Sequence, residues 1–170
     1  MKNIVLIGMP GCGKSTLGRC LAARLGRDFI VADPEIEKDS GKTIPELFAV
    51  SEDFFRKQET RTTKRLSALQ DKVLAMGGGV VLRQENISSL KENGLIIFLD
   101  RSPEDIIGDV DTKNRPLLAA GRKRSYDLYA QREALYRAAA DVTVQNKGSM
   151  QDVLSRLAEA AKELQQGKDS

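Results

Sequence analysis

Segment 8–15, close to the N-terminus, has residue types and spacing suited to holding a nucleotide triphosphate. It reads GMPGCGKS, the phosphate-loop pattern of Gly, four residues, Gly, Lys and then Ser or Thr. Glycine lets backbone N–H groups turn around an anion, and a following helix adds unpaired N–H groups and its positive dipole end. A glycine-rich turn that merely joins a strand to a helix is the alternative.

In a phosphate loop, the Lys14 ammonium would reach the β and γ phosphates and the Ser15 hydroxyl would ligate Mg²⁺. We therefore predict an ATP and Mg²⁺ site in which Ser15 is the metal ligand and Lys14 is also catalytic. The predicted nucleotide-binding residues of the loop are Gly11, Cys12, Gly13, Lys14, Ser15 and Thr16.

A second set of residues falls in predicted loops or on the helices beside them and could bind a phosphate acceptor. The set contains one carboxylate, two guanidiniums and a triple-glycine turn, which together suit a small anionic polyol. Its members are Asp33, Arg56, Gly77, Gly78, Gly79 and Arg132. Simpler roles are open for three of them: Asp33 as a helix cap before Pro34, Arg56 in a surface pair with Glu59, and Arg132 on an arginine-rich helix.

The elements that must position these residues alternate between short β-branched runs and longer segments of helical period, which is typical of βαβ units. The predicted strands are 3–7, 28–32, 72–76, 95–99 and 141–145. The predicted helices are 14–25, 34–38, 44–48, 52–69, 84–91, 103–107, 125–139 and 150–164. This order predicts one α/β domain over residues 1–170, with a five-stranded parallel sheet between two helical layers and ligands at the carboxyl ends of the strands.

Two connections are longer than a crossover requires. Segment 33–69 is predicted to be an insertion that carries substrate-binding helices, and segment 109–125 a mobile lid. Residues 113–137 contain seven basic and two acidic side chains, a balance that suits the steering of ATP and an anionic acceptor. A solvated basic loop is the alternative, and RNA contact is a weaker one because interleaved stacking aromatic residues are missing.

Composition excludes several other classes of protein. The chain has 170 residues, a net charge of +3, no histidine and two cysteines, which argues against a nucleic-acid arm, a zinc site and a disulfide framework. The longest purely apolar run, 95–99, cannot span a bilayer, and the N-terminus lacks the features of a signal peptide. We expect a cytoplasmic monomer whose partner is a small molecule, with no nucleic-acid or membrane partner.

The ordered motifs resemble those of the shikimate kinase family over nearly the whole chain. They are GMPGCGKST at 8–16, DPEIEKDSGKTIPELF at 33–48, FRKQE at 55–59, GGG at 77–79, RPLL at 115–118 and REALY at 132–136. The resemblance implies a fold of the P-loop kinase type and transfer of the ATP γ-phosphoryl group to the 3-hydroxyl of shikimate, a step towards chorismate and the aromatic amino acids.

The resemblance also implies a role for each matching residue. Asp33 would bind the ring hydroxyls and accept the attacking proton, while Arg56 and Arg132 would clamp the substrate carboxylate. The backbone of the triple glycine would lie against the ring. Arg115, in the lid, would contact the phosphates of ATP and take part in catalysis.

Three positions depart from the family pattern. Val31 replaces the first of two aspartates that usually end the second strand, and Gly108 replaces a lid arginine that packs against adenine. Ser51 replaces a glycine. The departures leave two alternatives open: a kinase of another small anionic polyol, and a non-catalytic nucleotide-binding protein. Segment 146–149 directly follows the last predicted strand, which makes it a candidate for contact with adenine.

Overall fold

The computed structural model describes the backbone of residues 1–111 and 118–169, and the side chains of residues 1–108 and 121–167. The described strands are β1 (Asn3–Ile7), β2 (Asp28–Val31), β3 (Lys72–Ala75), β4 (Gly94–Asp100) and β5 (Val142–Gln145). The described helices are α1 (Lys14–Leu25), α2 (Ala32–Ser40), α3 (Ile44–Val50), α4 (Glu52–Ser67), α5 (Gln84–Glu92), α6 (Pro103–Asp111), α7 (Leu118–Ala139) and α8 (Met150–Asp169).

The five strands form one parallel sheet in the order β2-β3-β1-β4-β5. All residues of β1 and β4 are buried, as expected for continuous apolar runs covered on both faces. The chain leaves β1 towards β2 on one side and later crosses to β4 on the other. This reversal makes the carboxyl end of β1 the topological switch point, where open α/β sheets bind ligands.

Helices cover both faces of the sheet. Helices α1 and α8 pack together over one face, while α5 and α7 contact β4 from the other. Helices α2, α3 and α4 form the insertion, which buries its own small cluster of Ile36, Leu47 and Phe55. The predicted three-layer α/β fold is therefore confirmed. Among the described helices, none combines the length and apolar character needed to cross a membrane.

Several element boundaries differ from the sequence prediction. Strand β2 ends at Val31 and α2 already begins at Ala32, so Asp33 lies in the first turn of that helix. Val31 is the N-cap residue, which makes the cap assigned to Asp33 wrong. The triple glycine leads into a short 3-10 turn, Val80–Leu82, that was not predicted.

The start of α7 was predicted too late, whereas the lid itself stays a prediction. Residues 109–111 end α6, and α7 begins at Leu118, seven residues earlier than predicted. Strong helix formers such as Leu118, Ala119 and Ala120 explain the early start, which the cluster of basic residues obscured. Arg115 and the rest of 112–117 lie outside the described residues.

Candidate active site

A cleft of about 670 Å³ opens at the carboxyl end of the sheet. Both predicted groups of residues contribute to it, the phosphate loop from one side and Asp33 with the glycine turn from the other. The lining residues that concern the site are Gly11, Gly13, Lys14, Ser15, Thr16, Val31, Asp33, Gly77, Gly78, Arg101 and Asn146. Asp33, Gly77 and Gly78 therefore share one space with the phosphate loop, whereas Arg56, Gly79 and Arg132 do not line the cleft itself.

The phosphate loop connects β1 to α1 in the conformation that the sequence predicts. Gly13 is the N-cap of α1 with φ of 100°, a left-handed conformation, and a Cβ there would lie 2.9 Å from the Asn146 amide nitrogen. The Lys14 ammonium donates to the Gly8 and Met9 carbonyl oxygens at 2.6 and 2.9 Å. The Cys12 side chain is buried, so this residue offers the cleft only its backbone.

Two side chains that sequence reasoning did not assign to the loop hold it from outside. Arg101 Nη1 donates to the Gly11 carbonyl oxygen at 3.1 Å, and Asn146 Nδ2 donates to the Cys12 carbonyl oxygen at 2.7 Å. Each follows directly on the last residue of a strand, β4 for Arg101 and β5 for Asn146. Their position at the carboxyl edge of the sheet is the signal that could have identified both.

Arg56 lies at the acceptor side, with only 11% of its side chain exposed. Its Nη1 donates to Glu59 Oε1 at 2.8 Å, and its guanidinium lies over the Phe55 ring, 5.0 Å from the centroid. A Cβ on Gly79 would overlap this guanidinium, so a larger residue there would displace the Arg56 side chain from its present position. The buried Nε of Arg56 has no hydrogen-bond partner among the described residues.

Glu59 is a buried anchor of Arg56. It is 2% exposed, which rules out the exposed surface pair that the spacing of Arg56 and Glu59 allowed. A Cβ on Gly77 would lie 3.2 Å from both Glu59 Oε2 and Asp33 Oδ1, so the two carboxylates approach the same glycine. Arg132 is close enough for its charge to act on Glu59. Of the two predicted clamp arginines, Arg56 therefore bonds directly to this buried carboxylate, and Arg132 influences its pKa through charge.

The electrostatics of the site favour proton transfer at the acceptor side. Burial raises the pKa of Asp33, and the opposing charge of Lys14 offsets this only in part. Burial likewise raises the pKa of Glu59 against the hydrogen bond and charge of Arg56. An Asp33 carboxyl with a raised pKa is a stronger base than an exposed aspartate, which suits it to accept a hydroxyl proton.

Two of the three departures from the family pattern leave out a charged side chain. The side chain of Val31, at the end of β2, lines the cleft beside Asp33 and adds no polar atom to it. Gly108 does not line the cleft, and a Cβ added there would meet nothing within 4 Å among the described residues. Val31 therefore makes the cleft less polar, whereas Gly108 leaves open space beside α6.

Comparisons with known proteins agree with this geometry. The shikimate kinase family model matches residues 10–162. A shikimate kinase from Clostridium beijerinckii is 45% identical over 160 residues, which cover 94% of this chain and 95% of that protein. The solved shikimate kinase from Acinetobacter baumannii in complex with shikimate has a TM-score of 0.85 and 36% identity, and the match covers 96% of this chain and 94% of that chain.

A solved shikimate kinase from Aquifex aeolicus VF5 gives a TM-score of 0.81 at 31% identity, covering 94% of this chain and 96% of that one. The residues matched by the family model, 10–162, include every residue that lines the cleft. The resemblance stated from the motifs is confirmed, with the use of ATP that a kinase family implies: the chain belongs to the shikimate kinase family.

Proposed function

We propose that this protein transfers the γ-phosphoryl group of ATP to the 3-hydroxyl of shikimate, forming shikimate 3-phosphate and ADP. The observation that carries the proposal is the buried Arg56 guanidinium, whose Nε has no hydrogen-bond partner among the described residues and which adjoins the glycine turn of the phosphate-loop cleft. A buried donor of this kind is costly unless an acceptor meets it. The Acinetobacter baumannii relative, solved with shikimate, supports the identity of the acceptor.

Arg56 and Arg132 would bind the carboxylate of the acceptor. A guanidinium presents a planar fork that matches a carboxylate with two parallel hydrogen bonds, so a pair of them gives orientation as well as affinity. Glu59 fixes Arg56 through the 2.8 Å bond from Nη1, while Nε lies 3.7 Å from the exposed Glu52 carboxylate and makes no hydrogen bond among the described residues. The missing side chains of Gly77, Gly78 and Gly79 would let the ring lie close to the backbone.

Phosphoryl transfer would depend mainly on positioning and charge neutralisation. The 3-hydroxyl oxygen attacks the γ-phosphorus, the bond to the β-phosphate oxygen breaks, and the hydroxyl proton passes to Asp33. Gly11, Cys12, Gly13, Lys14, Ser15 and Thr16 would hold the phosphates, with Lys14 neutralising the charge that develops on them. Arg115 is assigned the same task in the lid by the family pattern.

The residues of the cleft fit a magnesium ion that is held mainly by nucleotide. Mg²⁺ keeps several waters and takes only one or two protein ligands beside substrate phosphates. Ser15 offers a hydroxyl and Asp33 the nearest carboxylate in the cleft, whereas Val31 offers no oxygen. Within the described residues, no cluster of three or more acidic or thiol side chains could hold a metal without nucleotide. The ion would supply further charge neutralisation at the phosphates.

Restoring a carboxylate at position 31 should strengthen metal binding. We expect Val31→Asp to lower the Mg²⁺ concentration for half-maximal activity by about tenfold, because an added carboxylate supports the water shell of the ion. The measurement is an Mg²⁺ titration of ADP release at fixed ATP. Val31→Leu, which changes bulk without adding an oxygen, is the control. An unchanged Mg²⁺ requirement in Val31→Asp would contradict this assignment of the position.

The proposed function is tested by a coupled assay of ADP release with a panel of acceptors. We expect turnover with shikimate, and little with its methyl ester or with gluconate, because the ester lacks the charge and gluconate lacks the ring. Faster turnover with gluconate would favour another polyol kinase. Absence of acceptor-dependent ADP release with every member of the panel would favour a non-catalytic nucleotide-binding protein.

The acceptor clamp makes a specific prediction for Arg56→Lys. The charge is kept but the planar fork is lost, so KM for shikimate should rise by roughly 10- to 100-fold with little change in KM for ATP. Arg65→Lys is a matched control on the same helix, since Arg65 pairs with Glu35 and Asp39 instead. Equal KM values for shikimate in the two variants would contradict binding of the acceptor carboxylate by Arg56.

A further inference from the structure

Tyr136 is a buried phenol on α7, the helix that carries Arg132, and its hydroxyl reaches the triple-glycine turn. It has no exposed surface, and its ring stacks on Phe98 of β4 with centroids 5.0 Å apart and planes at 25°. Its hydroxyl donates to the Gly78 carbonyl oxygen at 2.6 Å. The core thus holds the ring, and the hydroxyl fixes the turn relative to α7.

The turn that accepts this hydrogen bond is closely packed on two sides. A Cβ on Gly78 would lie 2.7 Å from Pro10 Cδ in the phosphate loop. A Cβ on the next residue, Gly79, would overlap the Arg56 guanidinium. Pro10 therefore limits movement of the turn towards the nucleotide loop, and a small displacement of the turn would chiefly change its contact with the Arg56 guanidinium.

The protonation state of Tyr136 is suited to this bond. Burial raises the pKa of Tyr136 to about 12, while the charge and a side-chain hydrogen bond of Arg132 act in the opposite direction. The phenol therefore keeps its proton near neutral pH and donates it to Gly78. Tyr136 stands one helical turn after Arg132 on α7, so its hydrogen bond joins the helix that carries Arg132 to the turn that packs against Arg56.

We propose that Tyr136 is a positioning residue that sets the spacing between Arg56 and Arg132. It acts through the Gly78 carbonyl, which it ties to the helix that carries Arg132, while the two arginines would hold the acceptor carboxylate. This inference rests on the proposed function, because it assigns the two guanidiniums to one anion. We therefore expect loss of the Tyr136 hydroxyl to weaken acceptor binding and to leave phosphoryl transfer and nucleotide binding unchanged.

The test is Tyr136→Phe, which removes the oxygen and keeps the ring. We expect KM for shikimate to rise about 3- to 10-fold, the effect of one neutral hydrogen bond. The values of kcat and of KM for ATP should stay within about twofold, since the variant removes no group from the nucleotide site. Tyr129→Phe is the matched control: Tyr129 lies on the same helix, burial raises its pKa to about 12, and its hydroxyl donates to Asp100 Oδ1 at 3.1 Å.

Two outcomes would overturn the inference: a lower melting temperature of Tyr136→Phe with unchanged KM for shikimate, or an equal rise of KM in Tyr129→Phe. Amide hydrogen exchange over residues 77–82 adds a readout that needs no acceptor. We expect faster exchange there in Tyr136→Phe than in the wild type or Tyr129→Phe, and unchanged exchange would also overturn it. Wild-type turnover with shikimate, measured first, tests the proposed function separately.

Discussion

Lys14→Met should lower kcat by roughly 100- to 1,000-fold, because methionine keeps most of the length of lysine and removes the charge that neutralises the transferring phosphoryl group. The Lys14 ammonium lies at the phosphate loop, 2.6 Å from the Gly8 carbonyl oxygen and 2.9 Å from that of Met9. The measurement is steady-state ADP release at saturating ATP and shikimate, with thermal unfolding as a check on the fold.

Lys57→Met is the control for Lys14→Met. Lys57 is an exposed lysine that pairs with Asp53 at 3.2 Å on the surface of α4. Loss of such an exposed pair changes stability little and should leave kcat unchanged. A Lys14→Met variant that retained more than about a tenth of wild-type kcat would contradict the role of the loop lysine.

Asp33→Asn should lower kcat by roughly 100- to 1,000-fold, because the amide cannot accept the hydroxyl proton.

The pH dependence of wild-type activity should also show that Asp33 acts as the base. Burial raises the pKa of Asp33 above 3.8, against the charge of Lys14. As pH falls through the raised pKa, the carboxyl becomes protonated and kcat/KM should decline by about tenfold per pH unit. At higher pH the carboxylate is ionised and activity is retained.

Asp39→Asn on the same helix is the control for this pH profile. Asp39 accepts hydrogen bonds from Arg65 and Thr62, and the Arg65 bond is the main reason that its pKa is lowered. We expect Asp39→Asn to keep both the wild-type activity and the decline of kcat/KM at low pH, here called the acid limb. This acid limb should be missing from the residual activity of Asp33→Asn. Its persistence there would mean that another group accepts the proton.

Local signals in the sequence were sufficient for the nucleotide side of the site. The GMPGCGKS segment lies between an apolar run and a segment of helical period, so β1 and α1 were predicted with the bounds that the structure has. The required left-handed conformation of Gly13 is part of the same motif. Backbone geometry and residue type coincide here, which is why pattern reasoning reached the residue level.

Contacts between distant segments explain what the sequence left open. Glu59 stands three residues after Arg56, a spacing equally typical of an exposed helix pair, and only the packing of α4 against the glycine turn buries it. The link from the Tyr136 hydroxyl to Gly78 joins residues 58 positions apart. The start of α7 was obscured for a different reason, because basic residues near Leu118 are compatible with both a loop and a solvated helix.

Val31 and Gly108 affect the two halves of the site differently. The family pattern assigns both positions to nucleotide and metal binding, where Mg²⁺ and the phosphates bring much of their own coordination. Arg56, Glu59 and Asp33 are all present on the acceptor side, and the first two are joined by a 2.8 Å bond. We therefore expect this protein to bind the metal more weakly and to keep an intact acceptor clamp.

Calorimetric titration of shikimate, with and without Mg²⁺ and a non-hydrolysable ATP analogue, tests most directly whether two anion receptors face one cleft. We expect one shikimate to bind per chain in both conditions, at an affinity that the analogue leaves equal or increases. Arg56→Lys should weaken this binding by roughly 10- to 100-fold in both conditions. Exclusion of shikimate by the analogue, or no heat from shikimate in a protein that binds the analogue, would contradict the account.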